Sequence, residues 1–191
     1  MFKSILAALA VSLPAVSVLA APEAYTVDKV HSAVIWKVHH LGAGNTYGLF
    51  TDISGTLNVD PANPAASSID VIIKADSITT HDEKRDQHLK GPDFFNTKQF
   101  PTITFKSKSV TKVDDKNATV AGDLTLHGVT KPVTAKVAYL GSGKLPNGTA
   151  NIGYEATLSI KRSDFGMAYM VGATGIEDEV PLTIAIEADK R

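Results

Sequence analysis

Residues 30–41 read VHSAVIWKVHHL, and their polarity alternates from one residue to the next. Val34, Trp36 and Val38 fall on one face of an extended chain, while Lys37 and His39 fall on the other. Successive side chains of a β-strand point to opposite faces, so a period of two is typical of a strand with one buried face. The stretch therefore predicts a half-buried antiparallel strand.

The same alternation recurs along the chain. Further runs with apolar residues at every second position lie at 69–73, 103–105, 120–126, 133–139, 152–160 and 180–186. Turn-forming residues separate them at 60–64, 114–117, 127–130 and 141–148. Seven or eight strands joined mostly by short turns form a meander, and closing the sheet removes its exposed edges. The sequence predicts an all-β, antiparallel up-and-down barrel, with an open sandwich as the alternative.

The segment after the opening strand changes its phase. Gly48 and Phe50 share one parity, whereas Ile53 and Leu57 lie on the opposite parity. A β-bulge near residues 51–52 would bring the two halves onto one face, as bulges do where barrel strands bend. The alternative is a pair of short strands with a corner between them.

A single helix interrupts the strands. Thr80 and Glu83 have the spacing of a capping box, and good helix formers follow through Lys90. Residues 91–92 are Gly-Pro, which end a helix. Residues 93–96 then predict a short turn that presents two aromatic side chains. A short charged helix between two barrel strands is well placed to cap one mouth.

The N-terminal segment has the features of a secretory signal peptide. Lys3 precedes an apolar run, and Val18 and Ala20 occupy the −3 and −1 positions of a cleavage site. The run is short for a membrane span of about 20 residues, and an uncleaved anchor is the alternative. We therefore predict a signal peptide at residues 1–20 and one domain at residues 21–191.

Composition and missing motifs narrow the function. The chain has no cysteine and a formal net charge of −1, without the basic run that tracks a phosphate backbone. These features argue against a nucleic-acid partner. The chain has no G-x-S-x-G elbow, no phosphate-binding glycine loop and no H-E-x-x-H motif. We therefore predict that the protein is not an enzyme.

Polar residues of the predicted helix are candidates for ligand contact. His81 and His88 are seven residues apart and share a predicted helical face with Arg85. Such a trio is suited to hold a carboxylate or a diphosphate. The alternative is a solvated face on which Arg85 pairs with Asp82 or Asp86. A metal site at the two histidines is a weaker hypothesis, because a third ligand must come from elsewhere.

Histidines of the opening strand have different predicted environments. His40 continues the inward parity, so it is either a hydrogen-bonded core residue or a polar contact to a ligand. His31 and His39 lie on the opposite face and are predicted to be solvated. Trp36 belongs either to a filled core or to the wall of a cavity, since periodicity assigns a face but not whether the interior is filled.

Four blocks carry a resemblance to a known family. They are residues 31–42 with 47–50, residues 81–89 with 93–96 and 100–101, residues 122–133, and residues 162–167 with 179–180. In this order and spacing, the chain resembles the YceI-like, lipid-binding family of bacterial periplasmic proteins over essentially all of residues 21–191. The Gly-Pro pair at 91–92 departs from the family pattern and affects only the expected geometry of the helix exit.

The resemblance implies a lipocalin-like, eight-stranded barrel around a long apolar tunnel in a periplasmic protein. It implies binding of a polyisoprenoid such as an isoprenoid quinone or a polyprenyl phosphate, without a cofactor or a metal ion. The expected apolar wall comprises Val34, Trp36, Val38, Phe50, Leu57, Ile73, Phe94, Phe95, Phe105, Leu124, Leu126, Tyr154 and Leu158. The expected polar contacts to a head group are His40, Arg85 and His88.

These observations favour a carrier or storage protein for an isoprenoid lipid. Two alternatives stay open: a barrel enzyme that uses Arg85, His88 or His40 as acid, base or anion clamp, and a stress-related structural barrel without ligand. The partner beyond the lipid would be a membrane or a quinone-using membrane protein. The sequence leaves the oligomeric state open, a homodimer included.

Overall fold

A computed structural model describes residues 21–172 and 175–191. The described chain forms eleven strands and one α-helix: β1 (Glu23–Val27), β2 (Ala33–His40), β3 (Gly44–Phe50), β4 (Ile53–Val59), β5 (Ser68–Lys74), β6 (Ile78–Thr79), α1 (Glu83–Lys90), β7 (Thr102–Lys112), β8 (Asn117–Leu126), β9 (Val129–Lys144), β10 (Ala150–Lys161) and β11 (Glu179–Lys190). The signal peptide predicted at residues 1–20 lies outside the described residues.

All strands join one antiparallel sheet that closes on itself. β1 pairs with β4 on one side and with β11 on the other, which completes the ring. β2 continues β1 along the same edge of β11, β3 runs into β4, and β6 continues β5. Each of these three pairs therefore acts as one interrupted strand. The result is a closed eight-stranded up-and-down barrel, so the predicted fold is confirmed and the open sandwich is wrong.

The phase change after the opening strand is a break between β3 and β4. Thr51 and Asp52 belong to neither strand, and Phe50 and Ile53 on either side are both buried. The extra step in the chain returns the inward face to the barrel interior. The alternative of two short strands is therefore the one that the structure adopts.

The two ends of the barrel differ. The "helix end" carries α1 and the connections at 41–43, 80–101, 127–128, and 162–172 with 175–178, and the "hairpin end" carries those at 60–67, 113–116 and 145–149. Among the described residues, β6 pairs only with β3, so no strand is hydrogen-bonded to β6 on the side that faces β7. The turn after α1 fills this gap, where Phe95 packs edge-on against Phe50 at 5.2 Å between ring centroids. The predicted helix near one mouth is confirmed.

The start of α1 differs from the prediction. The N-cap is Asp82 and not Thr80. The carboxylate of Asp82 accepts a hydrogen bond from the backbone N–H of Arg85 at 2.8 Å. His81 has a φ of +61°, so the chain turns there and the helix begins two residues later than the capping-box spacing indicates. The predicted end is confirmed at Gly91. No helix within the described ranges is long and apolar enough to cross a membrane.

Strand β9 is longer than the turn signals suggested. It begins at Val129 and extends to Lys144, so the turns on either side shrink to 127–128 and 145–149. Ladder hydrogen bonds to β8 and β10 extend into the turn-forming residues because both neighbours continue alongside. The long strands β7 to β11 build most of the barrel wall.

Candidate ligand-binding cavity

A continuous cavity of about 920 Å³ runs through the barrel from the helix end to the hairpin end. This volume lies near the top of the range of about 300–1,000 Å³ found for small-molecule sites. Most inward residues of β10 and β11 are only partly buried, because the space in front of them is empty. A normally packed interior would leave no such space. The alternative of a filled structural barrel is therefore wrong.

The cavity wall is almost entirely apolar. All thirteen residues expected in the wall line this cavity. The wall also contains apolar residues that the sequence analysis did not select: Val71, Ile103, Val120, Ile152, Ile160, Met167, Leu182, Ile184 and Ile186. Most of these lie on the same inward parities, so the periodicity could have identified them. Met167 could not be found this way, because it follows β10 in an irregular connection.

Trp36 and Gly48 pack closely against each other in the wall. The two residues are register partners on β2 and β3. A Cβ atom at Gly48 would lie 2.5 Å from Cε2 of the indole and 2.9 Å from Cγ2 of Thr80. A side chain at this position would therefore push the indole away, and the wall requires glycine there. The buried indole N–H of Trp36 has no hydrogen-bond partner among the described residues.

The candidate polar residue His40 lies at the rim of the cavity. It ends β2, is exposed, and forms an isolated bridge with Ile176. The alternative of a core histidine is therefore wrong. The inward parity continues to the end of the strand, but the barrel ends there, and its inward face meets solvent. His31 is solvated as predicted, whereas His39 is half-buried and contacts Asn45.

Arg85 also lines the cavity at the helix end, and two of its guanidinium nitrogens bind Thr80. Nε donates to Oγ1 of Thr80 and Nη2 donates to the Thr80 carbonyl, both at 2.8 Å. The Thr80 hydroxyl in turn donates to the carboxylate of Asp86. Among the described residues, Arg85 makes no ion pair with Asp82 or Asp86, so the direct pairing considered for it is wrong. The side chain joins α1 to β6.

His88 completes the predicted polar group in the cavity, without His81. The His88 Nε2 atom lies 2.9 Å from Oδ2 of Asp93, and its ring packs edge-on against Phe94 and Tyr169. His81 precedes α1 and does not line the cavity, so the predicted trio is not assembled. Among the described residues, neither His81 nor His88 belongs to a group of three side chains close enough together to hold a metal ion, so the third ligand that a metal site there would need is missing.

Arg162 is a buried residue of the helix end that the sequence analysis did not select. Its guanidinium donates hydrogen bonds of 2.7–2.9 Å to the backbone carbonyls of Met167, Tyr169, Ile176 and Glu177. These bonds fix the connection between β10 and β11, which places Met167, Tyr169 and Ile176 against the cavity. An arginine directly after an apolar strand is the sequence signal that could have identified this position.

Asp178 supports Arg162 from the start of β11. Its carboxylate accepts hydrogen bonds from the backbone N–H of Ser163 at 2.9 Å and from the Ser163 hydroxyl at 2.7 Å. Burial alone would raise the pKa of Asp178, but these hydrogen bonds and the charge of Arg162 lower it. Burial also lowers the pKa of Arg162, against the opposing effect of Asp178. The pair holds both ends of the connection together.

Three tyrosines line the cavity near the hairpin end. Tyr139 and Tyr154 are register partners on β9 and β10, with ring centroids 5.4 Å apart. Tyr25 on β1 donates a hydrogen bond of 2.7 Å to the carboxylate of Glu23. Burial, this hydrogen bond and the neighbouring charges raise the pKa of Tyr25 to about 12. Burial also raises the pKa of Tyr154. Tyr25 and Tyr154 are therefore protonated at neutral pH.

A closed eight-stranded barrel with an apolar cavity running through it defines the protein as a lipocalin-like barrel. The chain belongs to the YceI-like domain family, whose family model matches residues 25–188. The resemblance found in the sequence is confirmed.

Comparison with known proteins agrees with this assignment. The chain is 39% identical to a UPF0312 protein of Pseudomonas putida strain F1, covering 100% of both chains. The crystal structure of BcnA from Burkholderia cenocepacia is similar, with a TM-score of 0.75, 26% identity, and coverage of 84% of this chain and 98% of that chain. A polyisoprenoid binding domain from Saccharophagus degradans shares the fold, with a TM-score of 0.67, 17% identity, and coverage of 88% and 99%.

Proposed function

We propose that the protein binds a long-chain polyisoprenoid lipid inside the barrel and carries or stores it in the periplasm. The observation that carries the proposal is the apolar cavity of about 920 Å³ that runs from one end of the barrel to the other. The barrel domain of S. degradans that shares this fold is described as polyisoprenoid binding, which supports the same ligand class.

The dimensions of the barrel suit a long, thin tail. β10 contains 12 residues, and a tilted strand of this size spans roughly 30 Å of the barrel axis. Each methylene moved from water into such an apolar wall contributes about 0.8 kcal/mol. The tail therefore supplies most of the binding free energy, and the thirteen expected wall residues are its proposed contacts. Polar groups at the ends of the cavity orient the ligand.

Lipid extraction tests the proposal. Protein purified without detergent would be extracted with organic solvent, and the extract would be analysed by mass spectrometry. We expect an isoprenoid in near-stoichiometric amount, and re-uptake of the same lipid by delipidated protein. An extract without lipid, together with no uptake of added lipid, would contradict the proposal. Chemical conversion of the added lipid would instead support the enzyme alternative.

A matched pair of variants separates cavity binding from adhesion to the outer surface. Ala156 points into the cavity, whereas its neighbour Thr157 is exposed on the outer face of β10. Ala156→Trp should reduce lipid uptake at least tenfold by occupying the tunnel, and Thr157→Trp should leave uptake unchanged. Equal uptake by both variants would show that the lipid does not occupy the interior.

The periplasmic location and the membrane exchange belong to the same proposal. Processing after Ala20 would release residues 21–191 on the far side of the inner membrane. The lipid would then be exchanged with a membrane or with a quinone-using membrane protein. Osmotic-shock release of a protein whose measured mass is that of residues 21–191 would support export. Retention of the full chain in the cytoplasmic fraction would contradict it.

A further inference from the structure

The helix end offers little to an anionic head group. Residues 82–93 contain four carboxylates and three Lys or Arg side chains, so the cationic groups there are already balanced. Arg85 is engaged by Thr80, and His88 is engaged by Asp93 at 2.9 Å. A phosphate bound beside Arg85 and His88 would also lie close to the carboxylates of Asp86 and Asp93, and this repulsion between like charges costs binding free energy. This end is therefore poorly suited to hold a phosphorylated head group.

The hairpin end has charged residues at its mouth, where Lys112 pairs with Asp115 at 2.8 Å, and uncharged hydrogen-bond donors in its apolar wall. Tyr139 and Tyr154 line the cavity and are only partly buried, so their rings face the open space. Within the described chain, Tyr25 is the one of the three tyrosines whose hydroxyl has a side-chain partner, the carboxylate of Glu23. Glu23 in turn accepts a hydrogen bond of 2.6 Å from Nζ of Lys190. The hydroxyls of Tyr139 and Tyr154 are left to donate to whatever occupies the cavity.

The position of the pair gives a bound lipid a direction. Tyr139 lies beside the turn between β7 and β8, where its backbone N–H donates to the carbonyl of Lys116 at 2.7 Å. From this point the cavity continues toward the helix end between apolar walls that include Trp36 and Phe50. A head group at the phenols leaves that whole length to the tail.

We propose that Tyr139 and Tyr154 form the head-group subsite of the cavity, with the lipid tail directed toward the helix end. The subsite takes an uncharged head group that carries oxygen acceptors, because two tyrosine hydroxyls donate hydrogen bonds without supplying a positive charge. A ring carbonyl, as in a quinone, has this chemistry, whereas a phosphate does not. The inference rests on the proposed lipid-binding function and assigns the polar end of that ligand.

The test compares three probes with similar tails. Delipidated protein would be titrated with an isoprenoid quinone, a polyprenyl phosphate of matched length, and squalene, which has no head group. Bound fractions would be measured by native mass spectrometry. The variants are Tyr139→Phe, Tyr154→Phe and the double variant, which keep the ring and remove only the hydroxyl. The matched control is Tyr47→Phe, since Tyr47 is 57% exposed and lies outside the cavity.

We expect each single variant to weaken quinone binding by about three- to tenfold, the effect of one lost hydrogen bond. Squalene binding and the control variant should be unaffected, and the phosphate should bind more weakly than the quinone. Equal losses for quinone and squalene would overturn the subsite, because the tyrosines would then be wall residues only. Phosphate binding that exceeds quinone binding and falls in Arg85→Ala would place the head group at the helix end. Failure of all three probes to bind would overturn the proposed function itself.

Discussion

Tyr25 shows how one buried phenol ties stability to pH. Its folded pKa of about 12 lies above the value of about 10 for an unfolded tyrosine. A group with a raised folded pKa stabilises the protein fully below the unfolded pKa, and this contribution is lost as the pH rises through the folded pKa. The pH window is therefore the alkaline range above about pH 10.

We predict that the free energy of unfolding falls by about 2 kcal/mol between pH 10 and pH 12 because of Tyr25. Tyr25→Phe should remove this part of the decline. It should also lower stability by about 1 kcal/mol at neutral pH through the lost hydrogen bond to Glu23. Urea unfolding at a series of pH values measures both effects. An identical alkaline decline in the variant would show that Tyr25 does not cause it.

Gly48 leaves room for the side chain of Trp36 on the neighbouring strand. Gly48→Ala should destabilise the protein by about 1–3 kcal/mol, since the added methyl group overlaps the Trp36 indole. The fluorescence of the single tryptophan should shift as the indole moves. Gly143→Ala is the matched control, because a Cβ there meets no atom within 4 Å. Equal stability of the two variants would contradict this assignment.

At the scale of an element, the connection between β10 and β11 depends on Arg162. Arg162→Ala leaves four backbone carbonyls at the helix end without their donor. The expected cost is about 3 kcal/mol or more in unfolding free energy, measured by urea denaturation. Amide hydrogen exchange in residues 166–172 should also accelerate, while that of β8 should not. A loss of less than about 1 kcal/mol in unfolding free energy would show that the connection between β10 and β11 keeps its structure without Arg162.

Elements also show where local sequence patterns are limited. The capping-box spacing of Thr80 and Glu83 predicted a helix start that the structure places at Asp82. Thr80 is instead used by Asp86 and Arg85, two partners that the helix itself brings close. The spacing of Thr80 and Glu83 in the sequence does not show that Thr80 has these other partners, because those contacts depend on how α1 packs against β6. The end of the helix was predictable, since a Gly-Pro pair stops a helix by local sterics alone.

At the scale of the whole molecule, a barrel with an open interior should depend on its ligand for stability. Binding to the folded state alone stabilises a protein by about 2.7 kcal/mol at 100 times the dissociation constant. Delipidated protein should therefore unfold at a lower temperature than lipid-loaded protein, and added lipid should restore the difference. Differential scanning calorimetry measures the shift. Ala156→Trp should show little response, and a full response in that variant would contradict ligand binding in the cavity.

The period-two pattern by itself determined most of the strands, their inward faces and the wall residues that lie on them. That information is local, because alternate side chains of a strand must point to opposite sides. The family assignment was likewise available from four blocks of sequence. The identity of the wall, from Val34 to Leu158, therefore did not need the structure.

Only the tertiary structure decided what stands in front of that wall. Whether inward residues meet each other or an empty tunnel depends on barrel diameter, which is set by how eight strands close and not by any one strand. The structure also placed His40 at an exposed rim, gave Arg85 and His88 protein partners, and set Tyr139 beside Tyr154. The barrel was thus predictable from local periodicity, whereas the cavity and the environment of its polar residues depend on how the strands and the helix pack together.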